Sequence, residues 1–394
     1  MRQQAHEDQG NSGSHSGDEI MIDASALVDL LKTQGCELFT GVPDSLLSKL
    51  SACAMARDDV RHLIAANEGN AVGLAIGEYL ATGHPAVVYM QNSGLGNTVN
   101  PIASLADPDV YGIPMFLIIG WRGEPGIHDE PQHVKQGEIT TGLLNVMGIP
   151  HAILSENAPA ETIVKSLWKK MMTRQGPVAL VVRKGVITGD YPVAKKAVPS
   201  QMKREEALET LTQCLPDGAF LVATTGKTGR ELYEIRERTN APQRDFLTVG
   251  GMGHASSIAL GVALRQPERW TVCMDGDGAV LMHMGAVATA ASAKPKRFLH
   301  VLLNNYAHES VGGQPTVSDQ VDFRKLSEAA GYTGYRQVDT PDGINSAVEE
   351  ILSKEGCWLL EVKVKQGSRP DLGRPKRTPQ QNKEAVMKYL SEDA

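Results

Sequence analysis

The sequence predicts an α/β protein with two doubly wound parallel sheets. Short apolar runs alternate with helical patterns along most of the chain, which is typical of parallel sheets covered by helices on both faces. The alternation stops in segment 184–202, which is rich in Gly, Pro and Lys, and then resumes. Because such a break is typical of a linker, the chain is predicted to fold as two similar halves.

The length of the chain supports this division. Single cores rarely grow beyond about 250–300 residues, and the chain has 394. We therefore expect a disordered extension over 1–19, a first domain over 20–183, a linker over 184–202 and a second domain over 203–394. This arrangement leaves no room for a third, central domain.

The elements of each half follow from hydrophobic periodicity. Aliphatic runs bounded by turn residues indicate buried strands, and apolar residues spaced three and four apart indicate helices. In the first half the patterns predict helices over 24–32, 68–81 and 161–173, and strands within 36–43, 61–66, 86–90, 115–120 and 178–184. In the second half they predict helices over 228–238, 254–266 and 279–291, and strands within 218–226, 270–278, 298–305 and 357–365.

Composition and charge exclude several classes of protein. The net charge of −7 argues against nucleic-acid binding, which depends mainly on Lys and Arg. The longest apolar run, 113–120, is too short to span a membrane. The N-terminus lacks the apolar segment of a signal peptide, and the five scattered cysteines favour free thiols in a reducing compartment. We therefore expect a cytoplasmic protein.

Polar residues follow two consecutive predicted strands of the second half. Asp277 lies between two glycines after one strand, and Asn304 and Asn305 end the next. A βαβ unit brings such strand ends side by side, where ligands bind in parallel sheets. One carboxylate and neutral oxygens suit Mg²⁺ when a diphosphate supplies the remaining ligands. The glycines allow backbone N–H groups to face a phosphate.

The GDG and NN pair at this spacing resembles the signature of thiamine-diphosphate enzymes. The resemblance implies that Asp277, Asn305 and the carbonyl of Ala307 hold Mg²⁺. It also implies that Glu68, just after a strand of the other domain, hydrogen-bonds the aminopyrimidine ring of the cofactor. Further cofactor contacts implied by the resemblance are Met252, which bends the cofactor, and Asn92, Gly94, Thr225, Gly226, Gly253, Gly278 and Ala279.

Longer segments of the sequence resemble one family within these enzymes. GVPDSLL, ANEGNAVGLAIG, ATTGKTGREL, GMGHASSIALG and GSRPDLGRP together are similar to the phosphonopyruvate decarboxylase family. This similarity implies a carboxy-lyase that uses thiamine diphosphate and Mg²⁺ to convert 3-phosphonopyruvate into phosphonoacetaldehyde and CO₂, in the biosynthesis of phosphonate natural products such as antibiotics. It also implies a homodimer or larger oligomer with active sites between chains. Tyr306 departs from the family pattern, which we expect to carry Gly there.

Two other functions fit the same motifs. A sulfopyruvate decarboxylase would perform the same chemistry on a sulfonate, and a non-catalytic subunit would only bind thiamine diphosphate. The presence of both Glu68 and the GDG–NN pair argues against the second alternative, because a subunit that only binds the cofactor does not need the glutamate.

The acid–base and substrate residues are predicted from turns near strand ends. Asp44 resembles the catalytic Asp of related decarboxylases, and His128 and His133 lie in a segment that reads as a Gly- and Pro-rich loop. For the anionic 2-oxo acid, the candidate contacts are Ser45, Arg122, Lys227 and His308, since Arg offers a two-pronged donor. The basic stretch 363–377 has no assigned role.

Overall fold

The computed structural model describes residues 21–156, 159–193 and 195–392. The extension predicted over 1–19 lies outside these residues. The described chain contains two six-stranded sheets, one in each half. Because all neighbouring strands in both sheets run parallel, the predicted fold class is confirmed.

The first sheet has the strand order β3-β2-β4-β5-β7-β6. The two short strands β1 and β8 pair with each other outside it, so segment 184–202 contains a strand as well as connecting residues. The elements of this half are β1 (Ile22–Asp23), α1 (Ala24–Thr33), β2 (Leu38–Gly41), α2 (Ser48–Met55), β3 (Arg61–Ile64), α3 (Glu68–Thr82), β4 (Ala86–Gln91), a 3₁₀ turn (Asn92–Gly94), α4 (Leu95–Pro101), a π-helical turn (Ile102–Ala106), β5 (Met115–Gly120), α5 (Pro131–Val146), β6 (His151–Leu154), α6 (Ala160–Arg174), β7 (Val178–Val182) and β8 (Ile187–Thr188).

The second sheet has the order β10-β9-β11-β12-β16-β15, and β13 and β14 form a separate antiparallel pair. The elements of this half are α7 (Arg204–Cys214), β9 (Phe220–Ala223), α8 (Lys227–Arg238), β10 (Phe246–Leu247), α9 (Ala255–Arg265), β11 (Thr271–Gly276), α10 (Asp277–Met282), α11 (Gly285–Ala293), β12 (Arg297–Asn304), β13 (Ala307–His308), a 3₁₀ turn (Glu309–Val311), β14 (Gln314–Pro315), α12 (Phe323–Ala330), β15 (Gly334–Val338), α13 (Pro341–Leu352), β16 (Gly356–Lys363) and α14 (Pro379–Glu392).

Each sheet separates two hydrophobic cores. In the first half, Leu27 and Leu167 belong to the core on one face, and Val72 and Leu144 belong to the core on the other. The second half repeats this arrangement with another pair of clusters. Alternate residues of a strand point to opposite faces, so the continuous apolar strands seen in the sequence supply both cores. Among the described helices, none is long and apolar enough to cross a bilayer.

Two local predictions are wrong. The single helix predicted over 279–291 is instead α10 and α11, which are separated at His283, whose φ of −130° and ψ of 52° are not helical. The predicted loop around His133 is in fact the first turn of α5, which begins with Pro131 at a position that suits proline.

Candidate active site

Asp277 lies at the carboxyl end of β11 and is almost completely buried, with 2% exposure. Its Oδ2 atom accepts hydrogen bonds from Ser318 Oγ at 2.7 Å and from Thr316 Oγ1. Burial raises the pKa of the Asp277 carboxyl, and these two hydrogen bonds only partly oppose the increase. The hydroxyl groups carry no charge, so a cation bound here would stabilise the buried carboxylate.

The two asparagines lie at the same edge of the sheet, because β11 and β12 are neighbours in register. The Nδ2 of Asn304 donates to Glu361 Oε1 at 2.7 Å. Its Oδ1 lies 3.0 Å from Ser318 Oγ, whose single proton is donated to Asp277. Asn305 is buried just beyond the strand, and its Oδ1 accepts from Ala307 N at 3.1 Å. Ser318 therefore links the carboxylate of Asp277 to the asparagine pair.

Tyr306 has a left-handed backbone, with φ of 60°, a conformation that favours glycine. This explains why a glycine is expected at the position. Thr316 N donates to Tyr306 O at 3.1 Å, and Lys363 Nζ donates to Tyr306 Oη at 3.0 Å. Two contacts therefore stabilise a conformation that costs a non-glycine residue roughly 1–2 kcal/mol.

Two side chains approach the backbone of Gly278 closely in the second half. A Cβ added there would lie 2.9 Å from His308 Nδ1 and 3.3 Å from Met252 Cε. These two side chains therefore converge over the start of α10. Burial lowers the pKa of His308 to about 4, so its imidazole is neutral at pH 7. Gly253 is similarly confined, since its Cβ would lie 2.9 Å from the Ala279 carbonyl oxygen.

The turn after β9 carries Thr225 and Gly226 and leads into α8. Gly226 has a φ of 96°, and a Cβ there would lie 2.6 Å from Ser310 Oγ. The loop after Asn305 therefore packs directly onto this turn. The Lys227 ammonium group is not available as an isolated cation, because it donates to Glu309 Oε1 at 3.0 Å.

Glu68 begins α3 and is buried, with 5% exposure. Asn67 caps this helix, as its side chain accepts a hydrogen bond from the Asn70 backbone. Asn97 Nδ2 donates to Glu68 Oε2 at 2.7 Å. A Cβ at Gly94 would lie 2.2 Å from Glu68 Oε1, so only glycine fits beside the carboxylate.

The Asn92 side chain makes its hydrogen bonds within the first half. Its Nδ2 donates to Arg122 O at 2.8 Å and to Thr140 Oγ1 at 2.9 Å, and its Oδ1 accepts from Arg122 N at 3.2 Å. Both donor hydrogens of the amide are therefore used within the domain, and Asn92 holds the backbone after β5.

Asp44 is buried after β2, with 1% exposure. The backbone N–H groups of Leu46 and Leu47 donate to its Oδ2 at 3.1 and 3.3 Å. Its Oδ1 is buried and has no hydrogen-bond partner among the described residues. Burial raises the pKa of Asp44 to about 6, although the nearby Arg122 opposes the increase.

Arg122 lies beside this carboxyl and is already engaged. It donates to Asp129 through Nε at 2.7 Å and Nη2 at 2.5 Å, and to Ser45 Oγ through Nη1 at 3.1 Å. His133 Nδ1 lies 2.8 Å from Asp129 Oδ1. Burial would raise the pKa of Asp129, but Arg122 and His133 together hold it below its ordinary value. His128 is exposed on the preceding loop.

The two halves meet within the chain at these strand ends. Asn67 Nδ2 donates to Met282 O at 3.2 Å, which joins the start of α3 to the end of α10. Gln314 Nε2 donates to Ser51 Oγ at 3.0 Å. Glu68 follows Asn67 directly, so the buried glutamate of one half faces the GDG half of the same chain.

The basic stretch 363–377 binds other parts of the second half and one residue of the first. Five of its cations have partners. These pairs are Lys363 with Glu361, Arg369 with Glu205 and Glu234, Arg374 with Glu130, Lys376 with Glu237, and Arg377 with the Gln243 carbonyl. The stretch therefore packs along α7 and α8, and most of its charges are neutralised by ion pairs.

Sequence reasoning missed several polar residues that complete these clusters. Asp129, Glu309, Ser318 and Glu361 each bond to a predicted site residue or its neighbour. The one signal for Asp129 was its position four residues before His133, close enough along the chain for the two side chains to meet at the start of α5. The other three carried no comparable spacing signal.

Comparison with known proteins defines the class of the chain. The N-terminal thiamine pyrophosphate-binding domain of thiamine pyrophosphate enzymes matches residues 23–144, and the C-terminal binding domain of these enzymes matches residues 225–362. The first match includes Glu68, and the second includes Asp277 and Asn305. The chain is therefore built from the two cofactor-binding domains of this class.

Full-length relatives specify the family further. The chain is 35% identical to "Phosphonopyruvate decarboxylase" of Streptomyces viridochromogenes, over 91% of this chain and 92% of the relative. It is 34% identical to the protein of the same name from Streptomyces hygroscopicus, over 94% and 95%. "Sulfopyruvate decarboxylase" of Methanosarcina acetivorans is 25% identical over 87% and 91%. The chain belongs to the phosphonopyruvate decarboxylase family of thiamine pyrophosphate enzymes.

The described residues fit thiamine diphosphate. The buried Asp277 lacks a cationic partner among its hydrogen bonds, and Gly278 and Gly226 keep the backbone open where a Cβ would collide. The first half offers the buried carboxylate of Glu68, with Gly94 making space beside it. The two halves therefore offer a buried acid beside neutral oxygen atoms, two glycine turns and a second buried acid.

Proposed function

We propose that the protein decarboxylates 3-phosphonopyruvate to phosphonoacetaldehyde and CO₂ with thiamine diphosphate and Mg²⁺. The observation that carries this proposal is the similarity to two phosphonopyruvate decarboxylases over more than nine-tenths of the chain. The named sulfopyruvate decarboxylase is more distant. Glu68, Asp277 and Asn305 give the two halves the acid and metal groups that such a reaction needs.

In this proposal the second half holds the metal and the diphosphate. Asp277, Asn305 Oδ1 and the Ala307 carbonyl supply oxygen ligands to Mg²⁺. The diphosphate contacts come from Thr225, Gly226 and the backbone at Gly278 and Ala279. Met252 and Gly253 contact the rings of the cofactor, and Gly94 leaves space beside Glu68 in the other half.

Thiamine diphosphate, when bound, supplies a nucleophilic carbon for the keto group and accepts the electron pair released when CO₂ leaves. Glu68 hydrogen-bonds the pyrimidine ring of the cofactor and shares its proton with it. Asp44 donates a proton to the carbon that has lost CO₂, since its pKa near 6 allows a protonated fraction close to neutrality. Because the reaction consumes one proton per turnover, Asp44 would take up a proton from solvent before the next substrate reacts.

Arg122 is the proposed cation for the phosphonate. Its guanidinium lies beside Asp44 and already contacts Ser45 Oγ, so both could donate to an anion at this edge. His133 and Asp129 orient the guanidinium from the other side. Lys227 binds Glu309, which contacts the proposed metal ligand Asn305, so it is assigned to the metal side of the site and is the weaker candidate for the substrate. Neutral His308 and exposed His128 are left as proposed contacts at the rim.

The test is substrate preference. Purified full-length protein with Mg²⁺ and thiamine diphosphate is offered phosphonopyruvate, sulfopyruvate and pyruvate, and CO₂ release is measured. We expect the highest kcat/KM for phosphonopyruvate. Faster release from sulfopyruvate would support the sulfopyruvate alternative, and cofactor binding without CO₂ release from any substrate would support a non-catalytic subunit.

We also propose a homodimer or larger oligomer with active sites between chains. In the single chain, however, the Glu68 half already touches the GDG half. Mixing Glu68→Gln and Asp277→Ala proteins distinguishes the two arrangements. Sites between chains would restore up to about one quarter of the wild-type activity in the mixture. Complete absence of activity, with exchange of subunits demonstrated, would overturn sites between chains.

Localisation and pathway complete the proposal. All five cysteines are free thiols in the structure, which is typical of a reducing compartment, so we propose that the enzyme works in the cytoplasm. Its aldehyde product retains the carbon–phosphorus bond, and we propose that it serves the biosynthesis of phosphonate natural products, including antibiotics. Cell fractionation would test the location.

A further inference from the structure

Three side chains from separate elements meet around Glu309, which follows the proposed metal ligands Asn305 and Ala307 along the chain. Glu309 accepts hydrogen bonds from Arg204 Nη1 at 2.9 Å, Lys227 Nζ at 3.0 Å and Asn305 Nδ2 at 2.8 Å. Arg204 also binds Glu231 through two hydrogen bonds at 2.7 and 2.8 Å. The cluster therefore connects the starts of α7 and α8 to the end of β12.

The cluster is charge-balanced and enclosed. It contains two cations, Arg204 and Lys227, and two carboxylates, Glu231 and Glu309. Arg204 is 5% exposed and Glu231 is 1% exposed, and the side chain of Glu309 is 11% exposed. Breaking one buried charge pair leaves its partner uncompensated, so the geometry of Glu309 is tightly fixed by its neighbours.

The contact with Asn305 has a consequence for the orientation of the amide. An ionised carboxylate can only accept hydrogen bonds, whereas an amide offers N–H donors on one side and an oxygen on the other. Glu309 therefore requires Asn305 to turn its NH₂ group toward the carboxylate. The Oδ1 atom then points away from Glu309 and toward Ala307, whose backbone N–H it accepts.

This orientation matters because Mg²⁺ takes oxygen ligands. We propose that Glu309 is a positioning residue that fixes the Asn305 amide with its oxygen toward the metal, and that Arg204 and Lys227 hold Glu309 in place. The inference depends on the proposed function, in which Asn305 Oδ1 is a Mg²⁺ ligand. It also gives Lys227 a role within the cluster in place of substrate binding.

Glu309→Gln tests the assignment with little change of shape. A glutamine can present either its oxygen or its NH₂ group to Asn305, so the orientation of the Asn305 amide is no longer imposed. The apparent affinity for Mg²⁺ is measured by calorimetric titration of thiamine diphosphate at a series of Mg²⁺ concentrations. We expect a weakening of about 10- to 100-fold, the usual effect of losing a residue that orients a metal ligand.

Glu231→Gln is the matched control. It removes a buried carboxylate from Arg204 in the same cluster but leaves the contact between Glu309 and Asn305. We expect it to lower the Tm of the protein without added cofactor while leaving Mg²⁺ affinity within about threefold of wild type. Equal weakening in both variants would show that the cluster is merely structural and would overturn the proposal.

Lys227→Met provides a second variant if Glu309→Gln does not fold, because Lys227 is the more exposed anchor. It should weaken Mg²⁺ binding by a smaller factor, and unchanged affinity would count against the proposal. Measurements on the wild-type protein distinguish failure of the proposed metal site from failure of the positioning role of Glu309. Mg²⁺-independent cofactor binding there would refute the proposed metal site itself, whereas normal Mg²⁺ dependence with an unaffected Glu309→Gln would refute only the positioning role.

Discussion

Asp44 in the first half and Asp277 in the second are buried to nearly the same degree, with 1% and 2% exposure. Burial raises the pKa of both carboxyl groups. Their neighbours differ. Two backbone N–H groups bind one oxygen of Asp44, and the other has no partner among the residues that the structure describes. Two side-chain hydroxyls bind Asp277 beside a pair of asparagines.

The difference teaches how one residue type can serve two kinds of chemistry. Asp44 has a free buried oxygen and a pKa of about 6, so it can hold or release a proton close to neutral pH. Asp277 lies among neutral oxygen atoms, which is the environment of a hard cation. Substitutions at these two positions and their neighbours distinguish a proton site from a cation site.

Asp277→Ala should have the largest effect. It removes the carboxylate from the proposed Mg²⁺ ligands, and we expect the affinity for thiamine diphosphate in the presence of Mg²⁺ to fall by at least about 100-fold. Calorimetric titration measures this affinity. Asp44→Asn, at an equally buried position, should keep it. Normal cofactor affinity in Asp277→Ala would show that this carboxylate holds no metal.

Glu68→Gln should separate binding from turnover. The amide keeps the size of the side chain and can still contact Asn97, so cofactor affinity should stay within a few-fold of wild type. Turnover should fall by roughly 10²–10⁴, the usual contribution of a positioned acid or base. Single-turnover and steady-state rates of CO₂ release provide the measurement. Unimpaired turnover would remove Glu68 from the reaction.

Asp44→Asn should change how stability depends on pH. Above about pH 4 the unfolded chain has lost the Asp44 proton, whereas the folded protein keeps it up to about pH 6. The folded state then binds more protons, so the free energy of unfolding decreases as pH rises through this window. A rise in pKa from 3.8 to about 6 corresponds to about 3 kcal/mol.

The asparagine variant lacks this titration. Relative to wild type, its free energy of unfolding should therefore increase by up to about 3 kcal/mol between about pH 4 and pH 8. Denaturant unfolding at a series of pH values measures the difference. Parallel pH profiles for the two proteins would mean that Asp44 titrates normally, and the contrast with Asp277 would disappear.

The parts of the site that were predictable are those fixed by strand ends. Glu68 follows the edge strand β3 and Asp277 follows the buried strand β11, and parallel strands bring their carboxyl ends to one edge. The fold class followed from the same alternation. The GDG–NN spacing also placed Asn305 at that edge, because a βαβ unit allows few alternative connections.

The remaining parts depend on loop paths and tertiary packing. Glu309 reaches Arg204 across about a hundred positions of sequence, and no local pattern reports such a contact. Near the break at His283 the turn of Gly253 packs against α10, a tertiary contact that no local sequence pattern reports. The Gly and Pro residues before His133 are typical of a loop, so the sequence does not reveal that α5 begins at Pro131.

Tyr306→Phe should have the smallest effect. It removes the hydroxyl that accepts a hydrogen bond from Lys363 but keeps the aromatic ring, which lies 4.7 Å from the ammonium group. Lys363 also retains its pairing with Glu361. We expect a loss of about 1 kcal/mol in the free energy of unfolding, measured by denaturant titration, with Mg²⁺-dependent cofactor affinity within about twofold of wild type.

Tyr306→Gly separates backbone strain from side-chain packing at this position. Glycine relieves roughly 1–2 kcal/mol of left-handed strain, but loss of the buried ring costs about 3–5 kcal/mol. The glycine variant should therefore be less stable than Tyr306→Phe. A glycine variant more stable than wild type would show that backbone strain at Tyr306 outweighs the packing of its ring. The tyrosine would then not be explained by its contribution to stability.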